Sequence, residues 1–195
     1  MQFIFATNNE NKVKEIRNAL GNSFKIISLK EAGIDKEIPE PYDSLEANAS
    51  EKSRVIFEMT KKNCFSEDTG LEVESLNGAP GVISARYAGE NASYADNVEK
   101  LLQEMKGKEN RSARFRTVIS LIINGEEKQF EGICTGKITE IVVGKEGFGY
   151  DPVFIADGAD KTFGEMTLEE KKEFSHRGKA VEKFVFFLNN HGVHE

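Results

Sequence analysis

The chain has 195 residues, 38% of them hydrophobic and 30% charged, with a formal net charge of −7. That length can bury one sizeable core or two small lobes, and the composition excludes a disordered chain. The acidic balance argues against nucleic acid as the main partner, since diffuse backbone binding needs positive charge, but it leaves room for a small phosphate ligand met by a few local cations.

The elements follow in chain order. Gln2–Ala6 reads as a strand, without the basic start and small-residue site of a signal peptide. Glu10–Leu20 carries Val13, Ile16 and Leu20 at helical spacing, and Gly21 stops it. Phe24–Ser28 reads as a second strand. Asp43 with Glu46 resembles a capping box for a helix running to about Lys62. Cys64–Glu67 reads as a short strand ending at a carboxylate pair, Asp68-Thr69-Gly70 as a turn, and Leu71–Leu76 as more strand.

Beyond a loop, Ser93 with Asp96 caps a helix whose inward face is Tyr94, Val98, Leu101, Leu102 and Met105. Arg114–Ile123 and Lys128–Ile138 flank Asn124-Gly125, the strongest hairpin signal in the chain. Ile138–Val143 and Val153–Ile155 add strand. Thr167 with Glu170 caps a short helix, and Ser175 a last one with Val181, Phe184 and Leu188 inward. This order predicts an α/β or α+β fold in two lobes interleaved in sequence within one domain, 1–195. No apolar run reaches the length of a membrane span, the longest being 118–123 and 184–188. Cys64 and Cys134 match no metal spacing and read as free thiols in a reducing cytoplasm.

Five segments carry candidate chemistry. Thr7-Asn8-Asn9-Glu10-Asn11-Lys12 joins a strand to a helix, where backbone amides and a lysine can hold phosphate. The alternative is that Asn8 or Asn9 only caps the helix. If the strand persists through Glu67 and Asp68, their side chains point to opposite faces and only one faces a cleft, with Asp68 the better candidate. It could hold Mg²⁺, an oxygen-seeking ion, or accept a proton from water directly. The acidic run Glu37, Glu40, Asp43, Glu46 reads as a solvated loop unless one member joins Asp68 at a metal. Asn48 and Lys52 share one helix face, which could aim Lys52 at phosphate. In Gly147-Phe148-Gly149-Tyr150-Asp151, Phe148 could stack on a base, worth roughly 1–3 kcal/mol, or plug the core. Lys171 with Ser175-His176-Arg177 gathers donors at a helix start, and the Arg177 fork suits a keto oxygen or ring nitrogen. His191 and His194 sit in the tail, where chains usually fray.

Taken together, Thr7-Asn8-Asn9 with Lys12, Glu67-Asp68-Thr69-Gly70-Leu71, Gly78-Ala79-Pro80-Gly81 with Ser84-Ala85-Arg86-Tyr87, Gly147–Phe154 and Ser175-His176-Arg177 resemble the inosine triphosphate pyrophosphatase family, the Ham1-like proteins. The likeness runs nearly end to end. It implies a two-lobed mixed α/β fold with an elongated central sheet, an active-site cleft between the lobes, and a homodimer in the cytoplasm. It implies Mg²⁺-dependent hydrolysis of ITP, dITP and XTP to the monophosphate and pyrophosphate, with no nucleic-acid or membrane partner.

By position, the resemblance assigns Asp68 as catalytic acid–base and metal ligand, with Glu40 as the second metal carboxylate. Thr7, Asn8, Asn9, Glu10, Asn11, Lys12, Lys52 and Thr69 would hold the triphosphate. Phe148, Gly149, Tyr150, Asp151, Lys171, Ser175, His176 and Arg177 would form the base pocket. One departure lies at Ser44–Ala49, where bacterial members commonly carry Thr-Phe-x-Glu-Asn-Ala: the acid comes one residue early and Leu45 replaces the aromatic. Two other readings compete: a Maf-type pyrophosphatase acting on modified or pyrimidine nucleotides, and a non-catalytic purine-binding module that has no need of Asp68.

Overall fold

The computed structural model describes residues 1–22 and 24–190. His191 and His194 lie outside the described residues. Among the described residues seven strands pair in the order β2-β1-β3-β5-β6-β7, with β4 on β3: β1 Gln2–Phe5, β2 Lys25–Ser28, β3 Cys64–Val73, β4 Pro80–Gly81, β5 Ser112–Ile123, β6 Glu126–Ile138 and β7 Phe154–Ala156. The α-helices are α1 Glu10–Leu20, α2 Leu45–Thr60, α3 Tyr94–Glu104, α4 Leu168–Phe174 and α5 His176–Asn190. The sheet is mixed: β1 runs parallel to β2 and β3, while β3–β4 and β6–β7 are antiparallel.

The chain forms two compact units, one of 1–68, 117–132 and 177–195 and the other of 69–116 and 133–176. Each unit is assembled from segments separated in sequence. In the first unit Val13, Ile16 and Leu20 of α1 and Val181, Phe184 and Leu188 of α5 bury against Phe3, Phe5 and Phe65. Phe5 and Phe65 stack with centroids 4.5 Å apart. In the second unit Val98, Leu101 and Met105 of α3 join Tyr150, Val153, Phe154 and Phe163. The β5–β6 hairpin turns on Asn124 (φ 52°) and Gly125 (φ 85°), the positive-φ pair such a two-residue turn requires.

Five local expectations change. Of Leu71–Leu76, only the part up to Val73 is strand, and Glu74–Leu76 is a single 3-10 turn. Asp68-Thr69-Gly70 is no turn: β3 runs unbroken through it, and Gly70 is needed because a Cβ there would sit 2.6 Å from the Gly81 carbonyl oxygen on β4. The cap of α2 is Ser44, whose Oγ accepts from Ala47 N at 3.2 Å, rather than Asp43. β6 ends at Ile138, and 139–143 is irregular because its backbone bonds elsewhere, Val143 N donating to Pro152 O at 2.8 Å. Tyr94 is 44% exposed instead of facing inward.

Candidate active site

Continuity of β3 decides the placement of the two acids. Alternation sends Glu67 and Asp68 to opposite faces of the strand, and both are buried. Asp68 Oδ1 accepts from Lys52 Nζ at 3.2 Å, and Lys52 Nζ also donates to Glu40 Oε1 at 2.5 Å. The other oxygen, Asp68 Oδ2, is buried without a hydrogen-bond partner among the described residues. Lys52 itself is buried. Of the acidic run, Glu40 alone reaches this group; Glu37 and Asp43 are exposed.

Asn48 explains how Glu40 arrives there. Its Oδ1 accepts from Tyr42 N and its Nδ2 donates to Tyr42 O, both at 3.0 Å. The buried amide thus straps the 40–42 segment to α2, one turn before Lys52. The sequence signal for this is the shared helix face of Asn48 and Lys52; the strap itself has no local signature.

The electrostatics of this face favour an acceptor role for Asp68. Burial pushes its carboxyl above the usual range, Lys52 opposing and Glu40 reinforcing the shift. For Lys52, burial pulls down, but Asp68 and Glu40 outweigh it and hold the ammonium above its ordinary value. Lys52 is therefore a fixed cation and cannot serve as the base. One cation against two carboxylates leaves this group at −1. A single net negative charge, two oxygen ligands and an unpartnered buried oxygen suit a hard divalent cation that keeps several waters.

The opposite face of β3 is occupied by cations. Glu67 takes Arg177 Nε at 2.6 Å, Arg177 Nη2 at 2.9 Å and Lys12 Nζ at 3.0 Å. Arg177 Nη1 donates to Glu15. Burial alone would raise the Glu67 carboxyl, yet Arg177 and Lys12 hold it well below the usual range. Arg177, fully buried, is likewise raised by Glu67 and Glu15 against the pull of burial. At the start of α1, Asn9 caps the helix as the simpler reading has it: its Oδ1 accepts from Asn11 N at 3.0 Å and Lys12 N at 3.2 Å. Thr7 Oγ1 accepts from Asn9 N at 3.1 Å, while Asn8 and Glu10 are exposed.

The remaining sequence candidates belong to the second unit. Asp151 is its hub: Oδ2 accepts from Lys171 Nζ at 2.7 Å and from Phe148 N at 2.9 Å. The Lys171 ammonium lies 5.2 Å from the Phe148 ring centroid and 5.4 Å from that of Phe163. Phe148 and Gly149 are half-buried and border a groove of about 1100 Å³ also lined by Tyr94, Val98, Leu102 and Pro152. Gly147 (φ +72°) lets Asp151 fold under the turn, since a Cβ there would overlap the carboxylate. Tyr150 is a core residue whose hydroxyl donates to Ser84 O at 2.7 Å. His176 is buried, stacked on Phe115 with centroids 4.6 Å apart. Ser175 is buried at the end of α4, and Thr69 is half-buried on β3 beside Asp68.

Comparison with known proteins gives this arrangement a lineage. Residues 3–187 match the model of the Ham1 family. The chain belongs to the Ham1 family. A relative named dITP/XTP pyrophosphatase from Flavobacterium psychrophilum is 48% identical over 190 residues, covering 97% of this chain and 100% of that protein. One of the same name from Caldanaerobacter subterraneus subsp. tengcongensis is 46% identical over 192 residues, covering 96% of each. Among solved structures, the Staphylococcus aureus Ham1 protein superposes with a TM-score of 0.88 at 36% identity, covering 98% of this Ham1-family chain and 100% of its own. A Mycobacterium abscessus nucleoside-triphosphatase, also called dITP/XTP pyrophosphatase, gives 0.75 at 37% identity, covering 94% and 98%.

Proposed function

We propose that the protein is a nucleoside triphosphate pyrophosphohydrolase that removes deaminated purines, dITP, ITP and XTP, from the nucleotide pool. The observation that carries this reading is the Asp68 carboxylate: buried, more basic than usual, one oxygen on Lys52 and the other unpartnered. Water attacks the α-phosphorus and gives its proton to Asp68. The bond from the α-phosphorus to the bridging oxygen breaks, and pyrophosphate leaves with that oxygen. Lys12 and Lys52 neutralise phosphate charge that builds up as the bond breaks. Thr7 to Asn11 and Thr69 supply donors around the phosphates. Glu40 and Asp68 would hold Mg²⁺, which when bound neutralises phosphate oxygens and lowers the pKa of a coordinated water.

Phe148 supplies a stacking face for the purine, steadied by Asp151. Lys171, Ser175 and His176 are assigned to the base edge; Arg177, whose Nε, Nη1 and Nη2 all donate to Glu67 and Glu15, is spent on those carboxylates instead. Selectivity then follows from hydrogen-bond polarity. Hypoxanthine and xanthine present a keto oxygen at carbon 6, where adenine presents an amino group. Fixed donors pair with the first and face another donor in the second, and each buried polar group left unmade costs roughly 1–3 kcal/mol.

The working form is proposed to be a cytoplasmic homodimer, which light scattering on the purified protein tests. The functional test is pyrophosphate release from a panel of triphosphates. Release from dITP and XTP with ATP and the pyrimidine nucleotides nearly inert supports the reading. Release chiefly from pyrimidine substrates, or nucleotide binding without release, refutes it.

A further inference from the structure

Neither Glu67 nor Glu15 enters the chemistry above, yet both sit in the most elaborate ion cluster of the first unit. Glu67 is 2% exposed. A single oxygen, Oε1, serves both Lys12 Nζ at 3.0 Å and Arg177 Nη2 at 2.9 Å, while Oε2 takes Arg177 Nε at 2.6 Å. Glu15, one turn beyond Lys12 on α1, holds Nη1 of the same guanidinium. The cluster is neutral, Lys12 and Arg177 against Glu15 and Glu67.

A buried ion cluster is a weak source of stability, because desolvation offsets most of the attraction. What it does supply is geometry. A guanidinium gripped side-on by one carboxylate and from the other end by a second cannot rotate. Glu67 is thereby fixed in turn. Lys12, by contrast, is a point charge on a flexible stem, and its side chain is 18% exposed. Among the described residues its one ion-pair partner is the oxygen of Glu67 that Arg177 immobilises. Because Glu67 divides its charge between two cations, it anchors Lys12 without cancelling it.

We propose that Glu67 is a positioning residue that holds Lys12 at the start of α1 for the polyphosphate of the substrate, with Arg177 and Glu15 as its brace. The inference rests on the phosphate role assigned to Lys12 above. Inorganic tripolyphosphate, titrated calorimetrically in the presence of Mg²⁺, isolates it from base recognition and from bond cleavage. E67Q weakens tripolyphosphate binding at least tenfold, about as much as K12M does. The double variant E67Q/K12M is no weaker than K12M alone, because Glu67 acts through Lys12. In turnover, E67Q raises KM for dITP by a similar factor and changes kcat less than threefold.

Tripolyphosphate affinity of E67Q within twofold of wild type overturns the proposal, as do losses that multiply in the double variant, or a wild type that binds no tripolyphosphate. If E67Q does not fold, E67D keeps the charge and shortens the arm. It then loses threefold or more in affinity, and no loss overturns the proposal equally. Wild type that binds tripolyphosphate yet releases no pyrophosphate from dITP or XTP would sink the functional reading and not this one.

Discussion

Replacing Arg177 with methionine removes a fully buried cation and leaves its two carboxylates behind. Glu67 loses two charge-assisted bonds and Glu15 loses one. Breaking a buried ion pair by removing one partner costs about 3–5 kcal/mol. For a chain of this size each kcal/mol moves the melting temperature by roughly 2–4 °C, so R177M should melt about 6–20 °C below wild type at pH 7. R177K, which keeps the charge but not the fork, should fall between the two.

Acid supplies a second check. The Glu67 carboxyl is held below its unfolded value of about 4.3, so the stability it contributes is present above that pH and is lost as pH falls towards its folded value. In R177M most of that depression is gone. The gap between wild type and R177M should therefore be widest near neutrality and narrow steadily below about pH 4, where unfolded Glu67 takes up its proton. Circular-dichroism melts from pH 7 to pH 3 in metal-free buffer measure both. A variant melting within 2 °C of wild type at pH 7, or a gap that widens in acid, refutes the reasoning.

Four further outcomes follow from the geometry. D68N should lose at least about 100-fold in kcat, the lower end for a removed general base, while a thermal melt shows it folded; near-normal turnover removes Asp68 from its role. N48A should release the 40–42 segment by removing two hydrogen bonds worth about 0.5–1.5 kcal/mol each, and the Mg²⁺ concentration for half-maximal activity should rise several-fold; an unchanged requirement separates Glu40 from the metal. G147A should displace Asp151 and with it the Phe148 turn, raising KM for dITP more than it lowers kcat, as read from steady-state kinetics. The Cys64 thiol, pushed up to about 12 by burial, should stay unreacted with a disulfide reagent at pH 8 in the folded protein and react on unfolding, because the thiolate is the attacking species.

Local chemistry was the legible part of this fold. Glu10–Leu20 was readable to the residue because Asn9 precedes a clean 3.6-residue stripe and Gly21 follows it. Asn124-Gly125 and the Ser93–Asp96 and Thr167–Glu170 boxes each fix their element by a few bonds between neighbours. What was not legible depended on partners distant in sequence. Gly70 reads as a turn until β4 is known to lie against it. The helix face of Lys52 is readable, but not that Glu40 and Asp68 close around it, and Glu40 comes into reach only through the Asn48 strap. The carboxylate pair was readable as two faces of a strand. That Glu67 carries a cation cluster of its own was not, because Arg177 lies 110 residues further along the chain. Tyr150 reads as part of a base pocket, but its hydroxyl is spent on the Ser84 carbonyl.

The account stands on water attacking the innermost phosphorus with Asp68 taking the proton. Hydrolysis of dITP in ¹⁸O-labelled water, with both products analysed by mass spectrometry, tests it directly. The account predicts one labelled oxygen in the nucleoside monophosphate and none in the pyrophosphate. Label in the pyrophosphate, or release of labelled inorganic phosphate in its place, contradicts it.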